Sequence, residues 1–183
     1  MKFLYLSVWH DWGKNWNAID KWASANGTNE ATEINNIVDS IIKKWILWVS
    51  IIKVPLWLNL TERINWINNS LKWRVYCFAI EFHLDSFNAT SEGCSVWYND
   101  NNEYTKNEWI QFLQKYTEIT GFKSRHVNSD TTNRHGQLWF VSQVKCASLL
   151  IELWFISNPN ELKQIKEKSV NAIIQSIQNM NSK

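Results

Sequence analysis

The sequence predicts an α/β fold: a single domain built on a mainly parallel twisted sheet of about five to six strands, with helices on both faces. Three observations predict it. Short apolar runs alternate with stretches in which apolar residues recur every three or four positions. The helical stretches open on recognisable capping residues. No internal repeat and no Pro/Gly/Ser-rich linker divides the 183 residues, so residues 1–183 read as one domain.

Phe3 to Val8 is a short apolar run, consistent with a buried first strand. A polar loop follows over residues 9–28. Ile34, Ile37, Val38, Ile41, Ile42 and Trp45 then form the apolar stripe of a helix lying on a sheet. The next strand runs from Leu47 to Val54. Asn59-Leu60-Thr61-Glu62 has the spacing of a capping box, with Asn bonding first-turn amides and Glu reaching back, so a second helix is expected to about Leu71. Arg74 to Phe82 and Ser95 to Tyr98 read as strands, Glu103 to Ile119 as a third helix, and Leu149 to Leu153 as a buried strand. Asn158-Pro159-Asn160-Glu161 opens the last helix, with Asn at the N-cap and Pro at the first helical position. Leu162, Ile165, Ile173, Ile177 and Met180 supply its buried stripe.

Composition excludes several classes. At 45% hydrophobic and 20% charged residues the chain can build a core, which argues against global disorder. A net charge of +2 with no basic stretch longer than Lys43-Lys44 does not favour nucleic acid. Cys77, Cys94 and Cys146 are odd in number and widely spaced, which suggests neither a disulfide framework nor a cysteine zinc site. No apolar run reaches the length of about 18 residues that spans a bilayer, and Phe3 to Trp9 lacks the cleavage site of an export signal.

One anomaly stands out: thirteen Trp and five Gly, where Gly normally supplies about 7% of residues. Several Trp fall where turn chemistry favours Gly. Trp9 and Trp12 flank the His10-Asp11 turn, and Trp45 follows the first helical stripe where a C-cap belongs. If Trp9, Trp12, Trp16, Trp22, Trp45, Trp48, Trp57, Trp73, Trp139 and Trp154 came from UGA codons that the native system reads as Gly, glycine would return to about 8%. The competing reading is a truly Trp-rich surface, such as a stacking platform for sugar rings. UGG codons at the ten positions would rule out the first.

Three apolar strands end in or lead to a metal-type ligand: Phe3–Val8 before His10, Val75–Phe82 before His83, and Leu149–Ile151 before Glu152. Ligands of parallel sheets bind beyond the carboxyl ends of strands, so these side chains can converge. Glu30 would join them from the start of the first helix, and two His with one carboxylate match a catalytic zinc set whose fourth position stays open. Glu33 is a register rival to Glu30, which also fits as a first-turn residue favouring the helix dipole. Glu81 shares a strand face with His83 and fits either a partner of that His or an alternative base. His126 and His135 lie in a polar loop able to line a cleft.

The stretch Tyr5-Leu6-Ser7-Val8-Trp9-His10, followed by Asn26-Gly27-Thr28-Asn29-Glu30, resembles the start of zinc-dependent N-acetylmuramoyl-L-alanine amidases of the Amidase_3 type. Ala79-Ile80-Glu81-Phe82-His83-Leu84-Asp85 is similar to that family's strand with its second metal His, and Gly93 to Tyr98 to the strand after it. Leu150-Ile151-Glu152-Leu153-Trp154-Phe155-Ile156-Ser157-Asn158-Pro159 resembles the family's catalytic-Glu motif. The resemblance implies Zn2+ held by His10, Glu30 and His83, and Glu152 as general acid/base. It further implies a monomeric enzyme acting on cell-wall peptidoglycan outside the membrane, as an endolysin or autolysin reaching the wall by phage-type release or unconventional export. The alternatives are another zinc peptidase acting on wall stem peptides, or a non-catalytic wall-binding module that uses its Trp residues as sugar platforms. The chain departs from the family pattern at Trp9 and Trp154, where the family has Gly and where a true Trp would crowd a tight turn.

Overall fold

A computed structural model of the chain describes residues 2–9, 23–44, 46–74, 76–100, 103–132 and 137–180. Its strands are β1 (Lys2–Val8), β2 (Ser24–Ala25), β3 (Thr28–Asn29), β4 (Val49–Lys53), β5 (Cys77–Asp85), β6 (Cys94–Tyr98), β7 (Ser124–Ser129) and β8 (Ala147–Phe155). Its helices are α1 (Glu30–Ile42), α2 (Leu60–Ser70), α3 (Glu103–Thr120), α4 (Trp139–Gln143) and α5 (Pro159–Asn179). Six strands form the main sheet in the order β4-β1-β5-β8-β6-β7, while β2 and β3 make a separate small hairpin. All neighbours in the main sheet are parallel except β6 and β8.

Alternation along the strands splits the interior into two layers. Leu6 and Val8 of β1, Ile80, Phe82 and Leu84 of β5, and Leu149, Ile151 and Leu153 of β8 face α1, α3 and α5. Tyr5, Cys77, Ala79 and Leu150 face Ile64 and Ile67 of α2 and Phe140 and Val141 of α4. The caps form as the spacing predicts. Asn59 accepts from the Glu62 amide and the Glu62 carboxylate accepts from the Asn59 amide. Asn158 accepts from the amides of Asn160 and Glu161, with Pro159 in the first turn of α5.

The structure differs from these expectations at several elements. β7, α4 and the β2-β3 hairpin are additional elements. β7 is a polar edge strand bonded only to β6, so it carries no apolar alternation. It also contains His126, expected in a polar loop. β5 starts at Cys77 rather than Arg74 and runs to Asp85, and β8 runs to Phe155, so His83 and Glu152 lie inside their strands rather than beyond them. Trp154 is likewise inside β8, fully buried and not in a turn.

The tryptophans separate into distinct environments. Trp48, expected inside a strand, sits just before β4 with φ of 65° and is 72% exposed. That left-handed conformation costs an L-residue with a Cβ roughly 1–2 kcal/mol and suits Gly. The C-cap of α1 is Lys43 in ordinary right-handed geometry, so the glycine-favouring position follows the helix by several residues. Trp57 and Trp139 are exposed. Trp12, Trp16, Trp22 and Trp45 lie outside the described residues.

Candidate active site

The site is assembled at the carboxyl ends of β1, β5 and β8, on the face that carries α2 and α4. Strand register places Ser7 beside Glu81, and His83 beside Glu152, with Ser95 of β6 on the other side of Glu152. Because side chains alternate, Ser7, Glu81, His83 and Glu152 emerge on one face while their neighbours Val8, Phe82, Leu84 and Ile151 enter the opposite core.

Glu30 reaches this group from the N-terminus of α1. Asn29 caps the helix through the Thr32 amide, and the hairpin before it anchors the chain by donating from Glu30 N to the Ala23 carbonyl at 2.9 Å. The Glu30 Oε1 accepts from the Leu84 amide at 2.9 Å and lies 3.6 Å from Nδ1 of His83. Glu33, the register rival, instead accepts from the Thr28 hydroxyl at 2.7 Å. The structure thus puts Glu30 next to His83.

The other ring nitrogen of His83, Nε2, lies 3.3 Å from Glu81 Oε2. The indole of Trp9, at the end of β1, packs on the imidazole with centroids 5.1 Å apart and planes inclined by 30°. Burial opposes a charge on His83. The hydrogen bond to Glu81 and the negative charges of Glu152, Glu81 and Glu30 outweigh it, so its pKa is held above the ordinary histidine value.

Glu152 sits in the middle of the sheet's carboxyl edge, with its Oε2 out of solvent and no hydrogen-bond partner among the described residues. Burial pushes its carboxyl up to about 8; Glu30 and Asp85 push the same way, while His83 and Arg125 pull it back. A carboxyl of this kind can hold a proton near neutrality and exchange it with a bound molecule.

His10 lies outside the described residues, as does His135. Among the described residues no cluster of three or more metal-type side chains is formed; Glu30 and His83 are two of the three expected ligands. His126, with φ of 74°, lies in β7 at the sheet edge, where β7 bonds only to β6. Arg63 is the residue that sequence reading passed over. It comes from α2, is 2% exposed, and pairs with Glu81.

The profile of the N-acetylmuramoyl-L-alanine amidase family Amidase_3 matches residues 17–180. The chain belongs to that family. The fold of this chain is shared by solved structures at low identity. An N-acetylmuramoyl-L-alanine amidase from Clostridium difficile 630 aligns with a TM-score of 0.80 at 15% identity, covering 100% of this chain and 98% of that one. The catalytic domain of an amidase from Bacillus (Paenibacillus) polymyxa var. colistinus gives 0.78 at 17%, covering 100% and 97%. An amidase of Nostoc punctiforme gives 0.76 at 16%, covering 100% and 98%. No curated protein sequence matches the chain. No helix among the described residues is long and apolar enough to cross a membrane.

Proposed function

We propose that residues 1–183 act as one catalytic domain that hydrolyses the amide between N-acetylmuramic acid and L-alanine in bacterial peptidoglycan. In this reading the enzyme is zinc-dependent, with His10, Glu30 and His83 as ligands and Glu152 as the acid/base. The observation that carries it is the side-by-side placement of His83 and Glu152 on paired strands, with the Glu30 carboxylate facing the Nδ1 of His83.

The donor set fits a zinc ion. Glu81 occupies the Nε2 side of His83, which leaves Nδ1 and Glu30 Oε1 turned toward each other as donors to a shared cation. Trp9, the last described residue before His10, lies over the His83 ring. Imidazole and carboxylate together are the ligand types of catalytic zinc sites that keep one position open. When bound, zinc would lower the pKa of its water toward about 7 and polarise the scissile carbonyl.

Glu152 does the proton work. Its carboxyl, whose Oε2 has no hydrogen-bond partner among the described residues, accepts the proton of the attacking water and returns it to the nitrogen of the L-alanine as the C–N bond breaks. An amine leaves poorly unless protonated, so one carboxyl serving both steps suffices. A carboxyl raised by burial holds a proton taken from water more tightly than an exposed one would.

The test is zinc content together with product analysis on purified peptidoglycan, for the parent and Glu152→Ala. The reading requires about one zinc in both proteins. It also requires release of intact glycan from peptide by the parent, with loss of release in the variant. Cleavage within the stem peptide would instead assign a peptidase, and a parent without zinc would overturn the ligand set.

A further inference from the structure

Glu81 is fully buried at the centre of a polar knot that lies behind His83. Its Oε1 accepts from the Ser7 hydroxyl at 3.2 Å and from Arg63 Nη1 at 3.4 Å. Its Oε2 faces His83 Nε2 at 3.3 Å. The second nitrogen of the same guanidinium, Nη2, donates to the Leu58 carbonyl at 3.0 Å, and the Arg63 amide donates to the Asn59 carbonyl at 2.8 Å. The capping box of α2 thereby sets where the guanidinium stands. Both oxygens of Glu81 are engaged and its side chain is 1% exposed, so it does not reach a substrate as a base.

We propose that Arg63 and Ser7 are positioning residues that lock Glu81, and that Glu81 in turn holds the His83 ring with Nδ1 presented to the metal. The proposal rests on the reading of His83 as a zinc ligand. A buried ion pair contributes little to stability compared with apolar residues of similar volume, yet it fixes geometry where a ring must not rotate. Carboxylates that take the second nitrogen of a metal-binding His act in this way, and their loss weakens metal binding by about 10- to 100-fold.

The experiment measures zinc dissociation constants by competition with a chromogenic chelator, plus kcat and KM on labelled peptidoglycan. It compares the parent, Ser7→Ala, Glu81→Gln, Arg63→Met and the double variant Arg63→Met/Glu81→Gln. Arg63→Met alone strands the Glu81 charge and is expected to fold poorly, whereas the double variant removes both charges and restores folding. Glu81→Gln and the folded double variant are expected to bind zinc about 10- to 100-fold more weakly, with kcat lowered and KM unchanged. Ser7→Ala is expected to show a smaller shift in the same direction. A double variant that folds and binds zinc as tightly as the parent makes the knot merely structural and overturns the proposal. A parent that binds no zinc overturns the metal reading itself, an outcome separable because it appears before any variant is compared.

Discussion

The two faces of the sheet are made from the same strands and have opposite characters. Facing α1, α3 and α5, residues such as Leu6, Phe82, Leu84 and Ile151 build a continuous apolar layer. Facing α2 and α4, the same three strands begin apolar, with Tyr5, Ala79 and Leu150, and turn polar toward their carboxyl ends with Ser7, Glu81, His83 and Glu152. The difference teaches how a rigid site is made without a loop: one layer supplies the packing energy, and the other spends its last residues on chemistry. A one-residue slip of β5 would bury Phe82 in the site and push His83 into the dry core, so register alone separates the two.

The comparison can be broken at several points. The largest expected effect is on the reactive side: Glu152→Gln should lower kcat by about 100- to 10,000-fold while leaving the fold intact, as read by product release and circular dichroism. On the dry side, Phe82→Ala should cost about 3–5 kcal/mol in urea unfolding, while activity per folded molecule changes far less. A variant of either kind that moved both readouts equally would mean that the two layers are not independent.

A third prediction concerns pH in the chelated protein. The Glu152 carboxyl stands at about 8 when folded, against an ordinary value of 4.5, so the folded chain holds a proton that the unfolded chain releases. Its contribution to stability is therefore full below about pH 4.5 and is lost as pH rises through about 8. Thermal melts of the metal-free parent should fall across that window, and those of Glu152→Gln should fall less.

The smallest expected effect sharpens the tryptophan anomaly. Trp48→Gly should gain about 1 kcal/mol by relieving the left-handed backbone, whereas Trp154→Gly should cost about 3–5 kcal/mol by emptying a buried site. Equal gains at both positions would favour a glycine origin for both; opposite signs would show that β8 is packed around its indole. Gly93 gives the reference case. At φ of 101° a Cβ there would meet the Lys123 carbonyl at 2.5 Å, so glycine is required by sterics.

What the sequence made legible follows from where the information sits. His83 and Glu152 could be picked out because each interrupts a run of apolar strand residues, and Asn59 and Asn158 because caps are local. β7 could not be read from Ser124-Arg-His-Val-Asn-Ser, since an edge strand exposed to water needs no apolar alternation. Arg63 was illegible for a different reason. An Arg on an amphipathic helix reads as a solvated charge, and its burial depends on Glu81, which lies eighteen residues along and meets it only in the folded sheet. The choice between Glu30 and Glu33 also needed the fold, because both lie in the first turn of the same helix and only their partners, Leu84 and His83 for the one and Thr28 for the other, distinguish them.

The Glu161 carboxylate, in the first turn of α5, accepts from the Gly93 amide at 2.7 Å and from the Phe155 amide at 2.9 Å. It therefore ties the start of β6 to the end of β8, joining segments made at different times during synthesis. Until the ribosome has released Glu161, the strand bearing Glu152 lacks this clasp, and the reactive edge remains unfinished although His83 was made long before.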